Sequence, residues 1–123
     1  MPPAPLKNRR TLGNRYEKQA ENFLVADGYK ILARNIHLGR KEIDLIALKG
    51  NTICFVEVKG GKSEPFGHPA ARVNRRKRAN LTLAAEQYIS ENCLTGFDYR
   101  FDLITVLRGK LEHFPAAFQS EEI

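Results

Sequence analysis

The sequence predicts a single α/β domain in which helices flank a mixed sheet and the elements follow the order αβββαββ. Two long segments carry apolar residues at helical spacing, and five shorter segments have the composition of β-strands. A Gly-Asn pair joins the second and third strands in the manner of a hairpin turn. At 123 residues, without internal repeats, the chain is long enough for one domain with a modest core.

The first helix is predicted over residues 14–27, and Gly28 is a natural stop after it. The residues that share its apolar face are Tyr16, Ala20, Phe23 and Leu24. The residues before the helix are basic and rich in proline, so we expect a flexible basic arm over residues 1–12. The folded domain is then expected over residues 13–114, with a flexible tail over residues 115–123.

Three strands and a long helix follow. Strands are predicted over residues 29–36, 42–48 and 53–59, and a flexible loop over residues 60–67. Pro69 suits the first turn of a helix that runs to about Glu91. The apolar stripe of this helix comprises Val73, Leu81, Ala84, Ala85, Tyr88 and Ile89. Two last strands are predicted over residues 100–107 and 111–114.

The hairpin places acidic side chains in segments that otherwise resemble buried strands. A two-residue turn at Gly50-Asn51 fixes its register, which puts Asp44 directly opposite Glu57. Two residues further along, Glu42 faces Lys59. Two opposed carboxylates about 5 Å apart repel by roughly 3 kcal/mol at an effective dielectric near 20, which is more than cross-strand pairing offsets.

A cation between Asp44 and Glu57 would relieve this repulsion. Lys59 is one candidate, because the two-residue period of a strand points it to the same face as Glu57. A divalent metal ion is the other, since hard cations prefer carboxylate oxygens. A third interpretation is a partly exposed strand face on which water and Lys59 screen both acids. The hairpin alone leaves these interpretations open.

Each predicted helix carries one charged residue on its apolar side. Glu17 lies three residues before Ala20 in the first helix. Lys77 lies four residues after Val73 and four before Leu81 in the second. Charged groups are rarely buried without partners, so we expect both to converge with the charged residues of the hairpin where the two helices cover one face of the sheet. A closed salt-bridge network and a bound divalent cation both fit the resulting charges.

The charge of the chain suggests an anionic partner. Its 20 Lys and Arg against 14 Asp and Glu give a net charge of +6. Basic residues crowd the first half of the second helix and precede the acidic strand, and a solvated face that keeps the protein soluble is the simpler explanation for any one of them. Beside a phosphate-cleaving site they would contact a nucleic-acid backbone. The candidate contacts are Arg40, Lys41, Arg72, Arg75, Arg76 and Arg78.

Other residues bear on location and on metal chemistry. Cys54 and Cys93 do not form a disulfide framework, so we expect free thiols and a cytoplasmic protein. No apolar run approaches the length of a membrane span, and the N-terminal residues lack the hydrophobic core of a signal peptide. His37, His68 and His113 are singly placed, which favours structural or surface roles over zinc binding.

The ordered set of charged residues resembles the PD-(D/E)xK nuclease superfamily, with its restriction-endonuclease-like core. The chain is more closely similar to a group of small bacterial proteins, the YraN family (UPF0102), and its core architecture is similar to that of archaeal Holliday-junction resolvases. The resemblance covers about residues 13–107. Its matching pieces are Glu17 with Ala20, residues 28–32 with Asn35, residues 42–47, residues 55–59, Phe66-Gly67, Lys77 and residues 100–102.

This resemblance implies a metal-dependent endonuclease site. Asp44 and Glu57 would hold Mg²⁺ or Mn²⁺, and Glu17 would bind a second metal or a metal-bound water. Lys59 would orient or activate the water and stabilise the developing charge, and Lys77 would touch the phosphate or tune Glu57. The implied partner is nucleic acid, with DNA expected before RNA, for example branched or damaged DNA. A homodimer is expected by analogy, because resolvase-like enzymes act as dimers.

Four positions depart from the usual pattern of the family. Lys41 stands where the family usually has glycine before the Glu-Ile-Asp segment, and Tyr16 stands where glycine often precedes the helix-one Glu. Gly60-Gly61 follows the Glu-x-Lys where a polar or basic residue is common. None of these removes an implied ligand, so we expect them to affect loop shape and substrate specificity more than metal binding.

Two other functions fit the sequence. One is a nucleic-acid-binding module that keeps the nuclease fold without catalysis. The other is structural, with the acids and lysines forming an inert network on a small domain. Metal binding separates the inert network from a nuclease, because such a network should bind no metal.

Overall fold

A computed structural model describes residues 10–61 and 73–120 of the chain. The described residues form two helices and five strands in the predicted order αβββαββ, which is thereby confirmed. The elements are α1 (Arg10–Ala26), β1 (Lys30–Leu38), β2 (Lys41–Lys49), β3 (Thr52–Gly61), α2 (Arg75–Glu91), β4 (Asp98–Leu107) and β5 (Lys110–Phe118).

The five strands form one mixed sheet in the order β1-β2-β3-β4-β5. β3 and β4 run parallel, and the other neighbouring strands in the described sheet are antiparallel. Parallel neighbours need a crossover connection, and α2 lies in the connection between β3 and β4. The predicted mixed sheet is confirmed.

The two helices cover opposite faces of this sheet. Along β3, Ile53 and Phe55 belong to the apolar cluster beneath α2, whereas Cys54 and Val56 belong to the cluster beneath α1. The prediction that both helices cover one face is therefore wrong. A central strand that is apolar on both faces needs cover on each side, and one helix supplies each cover. The buried helix residues of the two clusters are Ala20 and Leu24 in α1 and Leu81, Ala84 and Ala85 in α2.

A gap opens between β2 and β3 at one end of the sheet. Their pairing follows the predicted register from the turn as far as Leu45 opposite Val56. Beyond that point β2 stays paired with β1, and β3 stays paired with β4. The backbone N–H of Val58 donates instead to Oδ2 of Asp44, at 2.8 Å. A side chain thus supplies the acceptor where the strand ladder has ended.

This divergence corrects the end of the predicted hairpin. The sequence predicts continued backbone pairing, with Asp44 opposite Glu57 and then Glu42 opposite Lys59. In the described strands the register with β3 ends before these residues, and Glu42 is opposite His37 of β1. The separation has a physical reason, since directly opposed carboxylates repel more than strand pairing stabilises.

The folded domain extends further at both ends than predicted. α1 begins at Arg10, so the last part of the predicted flexible arm is helical. β5 runs to Phe118, so the first part of the predicted flexible tail belongs to the sheet. The Phe118 ring stacks on Phe101 with centroids 5.3 Å apart and holds this segment down. Pro115 lacks an N–H group, which is tolerated because β5 is an edge strand.

α2 begins at Arg75, later than the predicted start at Pro69. Asn74 precedes it in an extended conformation, and its Oδ1 accepts a hydrogen bond from the backbone N of Lys77 at 2.8 Å. This side chain satisfies an N–H group of the first helical turn, so it defines the start of the helix. Pro69, Arg72 and most of the predicted loop over residues 60–67 lie outside the described residues.

A buried carboxylate ties β4 to β5. Asp102 is fully buried, and the Arg100 guanidinium donates to both of its oxygens at 2.8 Å. His113 Nε2 lies 2.8 Å from Oδ2, and the backbone N of Ala116 donates to Oδ1 at 3.0 Å. Burial acts to raise the pKa of Asp102, but these hydrogen bonds outweigh it and lower the pKa. His113 is a structural residue, as predicted.

Both cysteines are free thiols, as expected. Cys54 is buried and Cys93 is exposed. Burial raises the pKa of the Cys54 thiol to about 11, so this group is unreactive at neutral pH. Within the described residues, neither helix is long and apolar enough to cross a membrane.

Candidate functional site

Five charged residues from four elements surround the gap between β2 and β3. Because the gap lies where the hairpin pairing has ended, side chains from both faces of the sheet reach it. This explains how helices on opposite faces contribute to one site. We call these residues the charged cluster: Glu17 on α1, Asp44 on β2, Glu57 and Lys59 on β3, and Lys77 on α2.

Glu57 lies at the centre of the charged cluster. Its side chain is 4% exposed, and Oε2 lies 3.1 Å from Nζ of Lys77 and 3.5 Å from Nζ of Lys59. A buried carboxylate is strongly destabilising unless it is paired. The two lysines therefore explain how an acid can occupy a buried position on β3.

Asp44 lies beside Glu57 with less compensation. Burial raises the pKa of Asp44 to about 8, and the charges of Glu57 and Glu17 act in the same direction. The hydrogen bond from the backbone N of Val58 acts against them. Without a bound metal ion, the carboxyl therefore favours its protonated form at neutral pH. The repulsion that the sequence predicts between the two acids is present, although their strands have separated.

Glu17 approaches the cluster from the α1 side. Its Oε1 atom is buried, and its charge contributes to the raised pKa of Asp44. Glu17 thus acts electrostatically on Asp44, although α1 and α2, which carries Lys77, cover opposite faces of the sheet.

Lys77 connects α2 to the acids. Burial acts to lower its pKa, but the charge of Glu57 and the hydrogen bond to it outweigh burial and raise the pKa. The charges of Asp44 and Glu42 add to this effect. Lys77 therefore remains a cation at neutral pH. The influence of Glu42 on Lys77 was missed at the sequence level, because it depends on where α2 packs.

The start of α2 presents further basic side chains next to the cluster. Arg75 and Arg76 are exposed, and Arg78 donates from one guanidinium nitrogen to the carbonyl of Val73 at 3.0 Å. The first turn of the helix contains no acidic residue. Basic side chains are unfavourable at this end, because the helix dipole already makes it positive. The arrangement concentrates positive charge beside the acids.

Arg40 and Lys41 lie at the same end of the sheet. Arg40 is exposed in the turn between β1 and β2, and Lys41 begins β2. Lys41 directly precedes Glu42, whose charge acts on Lys77, so this turn neighbours the start of α2. Arg72, the remaining predicted nucleic-acid contact, lies outside the described residues.

The acids of the cluster fit a small divalent cation held by two carboxylates. Asp44 and Glu57 supply hard oxygen donors, and the raised pKa of Asp44 shows that its charged form is unfavourable there unless a cation offsets it. The part of the chain that the structure describes contains no group of three His, Cys, Asp or Glu side chains arranged to hold a metal ion. Mg²⁺ commonly binds through one or two carboxylates and keeps several waters, so a third protein ligand is not required.

Tyr16 and Gly60, two positions at which the chain is expected to depart from the family pattern, contact each other. The ring of Tyr16 lies against the backbone of Gly60, where a methyl group would overlap the ring. Sequence reasoning missed this contact, because each departure taken alone gave no sign of the other. It also missed the N–H group of Val58 as the partner of Asp44, since a backbone group has no sequence signature.

Comparison with known proteins identifies close relatives of the chain. The family described as "Uncharacterised protein family UPF0102" matches residues 16–106, a segment that contains the whole charged cluster. A UPF0102 protein of Chloroherpeton thalassium is 43% identical over 95 residues, covering 77% of this chain and 74% of that protein. A UPF0102 protein of Kosmotoga olearia is 44% identical over 102 residues, covering 82% of this chain and 87% of that protein.

The fold also resembles that of a solved structure. Hjc, a Holliday junction resolvase from the archaeal hyperthermophile Archaeoglobus fulgidus, matches with a TM-score of 0.58. The match covers 85% of this chain and 77% of the resolvase. At 20% sequence identity this likeness shows the fold alone. It confirms the predicted resolvase-like α/β core.

Proposed function

This chain belongs to the UPF0102 family, and from that premise we propose that it is a divalent-metal-dependent endonuclease that hydrolyses phosphodiester bonds in DNA. The observation that carries the proposal is the placement of the buried Glu57 and the partly buried Asp44 beside two lysines in the gap between β2 and β3. Acids that repel each other cost stability, and such a cost persists at sites where function requires it. A cytosolic location suits the free thiols of the chain.

The acids form the metal-binding part of the proposed site. Mg²⁺ or Mn²⁺ held by Asp44 and Glu57 would neutralise charge on the scissile phosphate and lower the pKa of a water molecule. The N–H group of Val58 holds the Asp44 carboxylate in place, at 2.8 Å. Glu17 contributes a further buried carboxylate oxygen on the α1 side, which would bind a second metal ion or a metal-bound water.

Lys59 and Lys77 supply positive charge to the proposed site. Lys59 Nζ lies 3.5 Å from Glu57, and its side chain is 42% exposed, so it can reach a phosphate that enters the gap. There it would stabilise negative charge that develops on the phosphate oxygens. Lys77, at 3.1 Å, holds the orientation of Glu57 and faces the same phosphate from α2.

The proposed nucleic-acid surface surrounds this gap. Arg75 and Arg76 project from the start of α2, and Arg40 and Lys41 lie at the same end of the sheet. Backbone phosphates are the groups that such a surface binds, so the expected recognition is of DNA shape and not of base sequence. Four-way junctions are a first substrate to test, because the resolvase that shares the fold is named for them.

Cleavage assays test the proposal directly. The protein is incubated with Mg²⁺ or Mn²⁺ and with linear, nicked, flapped or four-way DNA, and we expect cleavage of at least one substrate, blocked by EDTA. Glu57→Ala and Lys59→Ala should reduce the rate by about 100-fold or more, because each removes charge stabilisation in the transition state. Glu86→Ala and Lys30→Ala, at exposed positions away from the gap, are the matched controls and should cut normally. Equal cleavage by Glu57→Ala and wild type would identify a contaminating nuclease.

A nucleic-acid-binding module without catalysis is the second candidate function. One observation favours it: both lysines already contact Oε2 of Glu57. This candidate predicts salt-sensitive DNA binding with no cleavage under any divalent metal. Binding that persists in Glu57→Ala, together with the absence of cleavage by wild type, would select it over the endonuclease.

A further inference from the structure

We infer that the packing of Tyr16 on Gly60 sets the separation between α1 and the end of β3, and that Tyr16 is thereby a positioning residue for Glu17 and Lys59. The inference rests on the proposed function, because it assigns a role within that site. It adds a residue that carries no charge and offers no ligand to a metal.

The contact joins the immediate neighbours of two cluster residues. Tyr16 directly precedes Glu17 on α1, and Gly60 directly follows Lys59 on β3. Because successive strand residues point to opposite faces, Lys59 faces the α2 side with Glu57, and position 60 faces α1. The Tyr16 ring occupies the space that a side chain at position 60 would need.

Space, and not backbone conformation, makes glycine necessary at this position. Gly60 does not adopt a positive φ, so residues other than glycine can adopt its backbone conformation. A Cβ atom at position 60 would overlap Cγ, Cδ2 and Cε2 of Tyr16. Cγ is near the root of the side chain, so the tip of the ring cannot relieve the overlap by a small movement. Either the whole ring rotates away or α1 moves away from β3.

α1 is held independently further along its length. Arg34 of β1 donates to both carboxylate oxygens of Glu21, at 2.7 and 2.9 Å. Lys49 donates to the carbonyl of Asp27, just beyond the end of the helix, at 2.8 Å. These contacts fix the middle and the end of α1, so displacement of Tyr16 would tilt the part of the helix that carries Glu17. A small displacement of this kind lowers activity at an active site strongly but changes the free energy of unfolding little.

A merely structural role for Tyr16 is the competing explanation. Its ring is partly buried and packs against the apolar cluster beneath α1, which includes Val56 and Ile104. A residue that only fills this cluster would affect the free energy of unfolding and leave the affinity of the folded protein for metal unchanged. The two roles therefore differ in a measurable way.

A double-mutant cycle in the full chain distinguishes them. We expect Gly60→Ala and Tyr16→Ala each to weaken Mn²⁺ affinity and lower kcat by about 10- to 100-fold, as substitutions of supporting residues commonly do. In the Tyr16→Ala background, Gly60→Ala should lower Mn²⁺ affinity and kcat by less than about a further twofold, because the overlap with the ring is gone. Tyr16→Phe keeps the ring and should behave as wild type. Calorimetric Mn²⁺ titration, cleavage kinetics and melting temperature are measured for each variant.

Phe23→Ala is the matched control, because Phe23 is a partly exposed aromatic residue two turns further along α1. It should lower the melting temperature without changing Mn²⁺ affinity. In wild type, the Hα resonances of Gly60 should be shifted by the Tyr16 ring current, which checks the packing without metal. If Gly60→Ala fails to fold, Tyr16→Ala and the double variant carry the test, since position 60 then has room for alanine.

The outcomes separate this inference from the proposed function. If Gly60→Ala and Tyr16→Ala both bind Mn²⁺ as tightly as wild type does, the positioning role alone is overturned. The positioning role is also overturned if the fold-losses in Mn²⁺ affinity and kcat of the two single variants multiply in the double variant. It is overturned as well if Tyr16→Phe is as impaired as Tyr16→Ala. Wild type that binds no Mn²⁺ would overturn the proposed metal site, and the positioning role with it.

Discussion

Asp44 shows how a single residue couples the fold to the site. Its carboxylate caps the N–H group of Val58 where β2 and β3 separate, so it stabilises the gap. Burial and two neighbouring acids raise its pKa to about 8, so its charged form destabilises the same gap. The identity of the acids was predictable from the hairpin and the helix patterns. The separation of the strands was not, because it depends on backbone hydrogen bonds that any residue can make.

The raised pKa of Asp44 predicts a pH-dependent stability. The pKa of Asp44 is about 8 in the folded protein, above the ordinary aspartate value of 3.8 that holds in the unfolded chain, so the folded state holds an extra proton between these pH values. Stability contributed by this group is therefore present below the unfolded pKa and is lost as pH rises towards 8. Asp44→Asn has no such dependence. Its stability relative to wild type should grow by about 1 kcal/mol or more between about pH 5 and pH 8.

Urea denaturation in EDTA across this pH range measures the effect. Glu42→Gln, which removes a more exposed acid of the same strand, is the control. A difference between wild type and Asp44→Asn that stays constant with pH would contradict the assignment of a raised pKa to Asp44.

At the scale of elements, the edges of the fold were harder to predict than its centre. The helix patterns and the hairpin turn identified seven elements in the correct order. The end of β5 was missed, because Pro115 interrupts the usual pattern of a strand and the anchoring contact is between Phe118 and Phe101, far apart in sequence. The opposite placement of the helices was missed as well, since strand alternation shows which residues share a face but not which helix covers it.

The stacking of Phe118 on Phe101 predicts that the end of β5 stabilises the domain. Phe118→Ala should lower the free energy of unfolding by about 3 kcal/mol, because it leaves a cavity beside the core. Leu83→Ala, at an exposed apolar position on α2, should change it by less than about 1 kcal/mol. Urea titration followed by circular dichroism measures both. Equal stability of Phe118→Ala and wild type would show that this segment does not contribute to the fold.

For the whole molecule, the net charge of +6 is less informative than its distribution. Four consecutive basic residues, Arg75 to Arg78, begin α2, and the positive end of the helix dipole lies there too. Lys77 lies against Glu57, and the side chains of Arg75 and Arg76 are exposed to solvent. The crowding of these charges was visible in the sequence. Their position beside the gap was not, because it follows from the packing of α2 against the sheet.

This distribution predicts a specific salt dependence of DNA binding. Arg75→Ala/Arg76→Ala should weaken binding and reduce the slope of log K against log salt concentration by about 2, if each arginine contacts one phosphate. Lys30→Ala, exposed at the opposite end of the sheet, should leave the slope unchanged. Fluorescence anisotropy at several salt concentrations provides the slopes. An unchanged slope in the double variant would place the DNA on another surface.

The central claim is that Asp44 and Glu57 form a site for a divalent cation, and calorimetric titration of Mn²⁺ into the full chain tests it most directly. The measurement needs no knowledge of the substrate. Wild type should bind Mn²⁺ with a saturable isotherm, and Asp44→Asn should bind at least about tenfold more weakly, because it removes a charged oxygen ligand. Glu42→Gln, beside the cluster but outside it, should retain wild-type affinity. Heats of dilution alone with wild type, or equal affinity in wild type and Asp44→Asn, would contradict the claim.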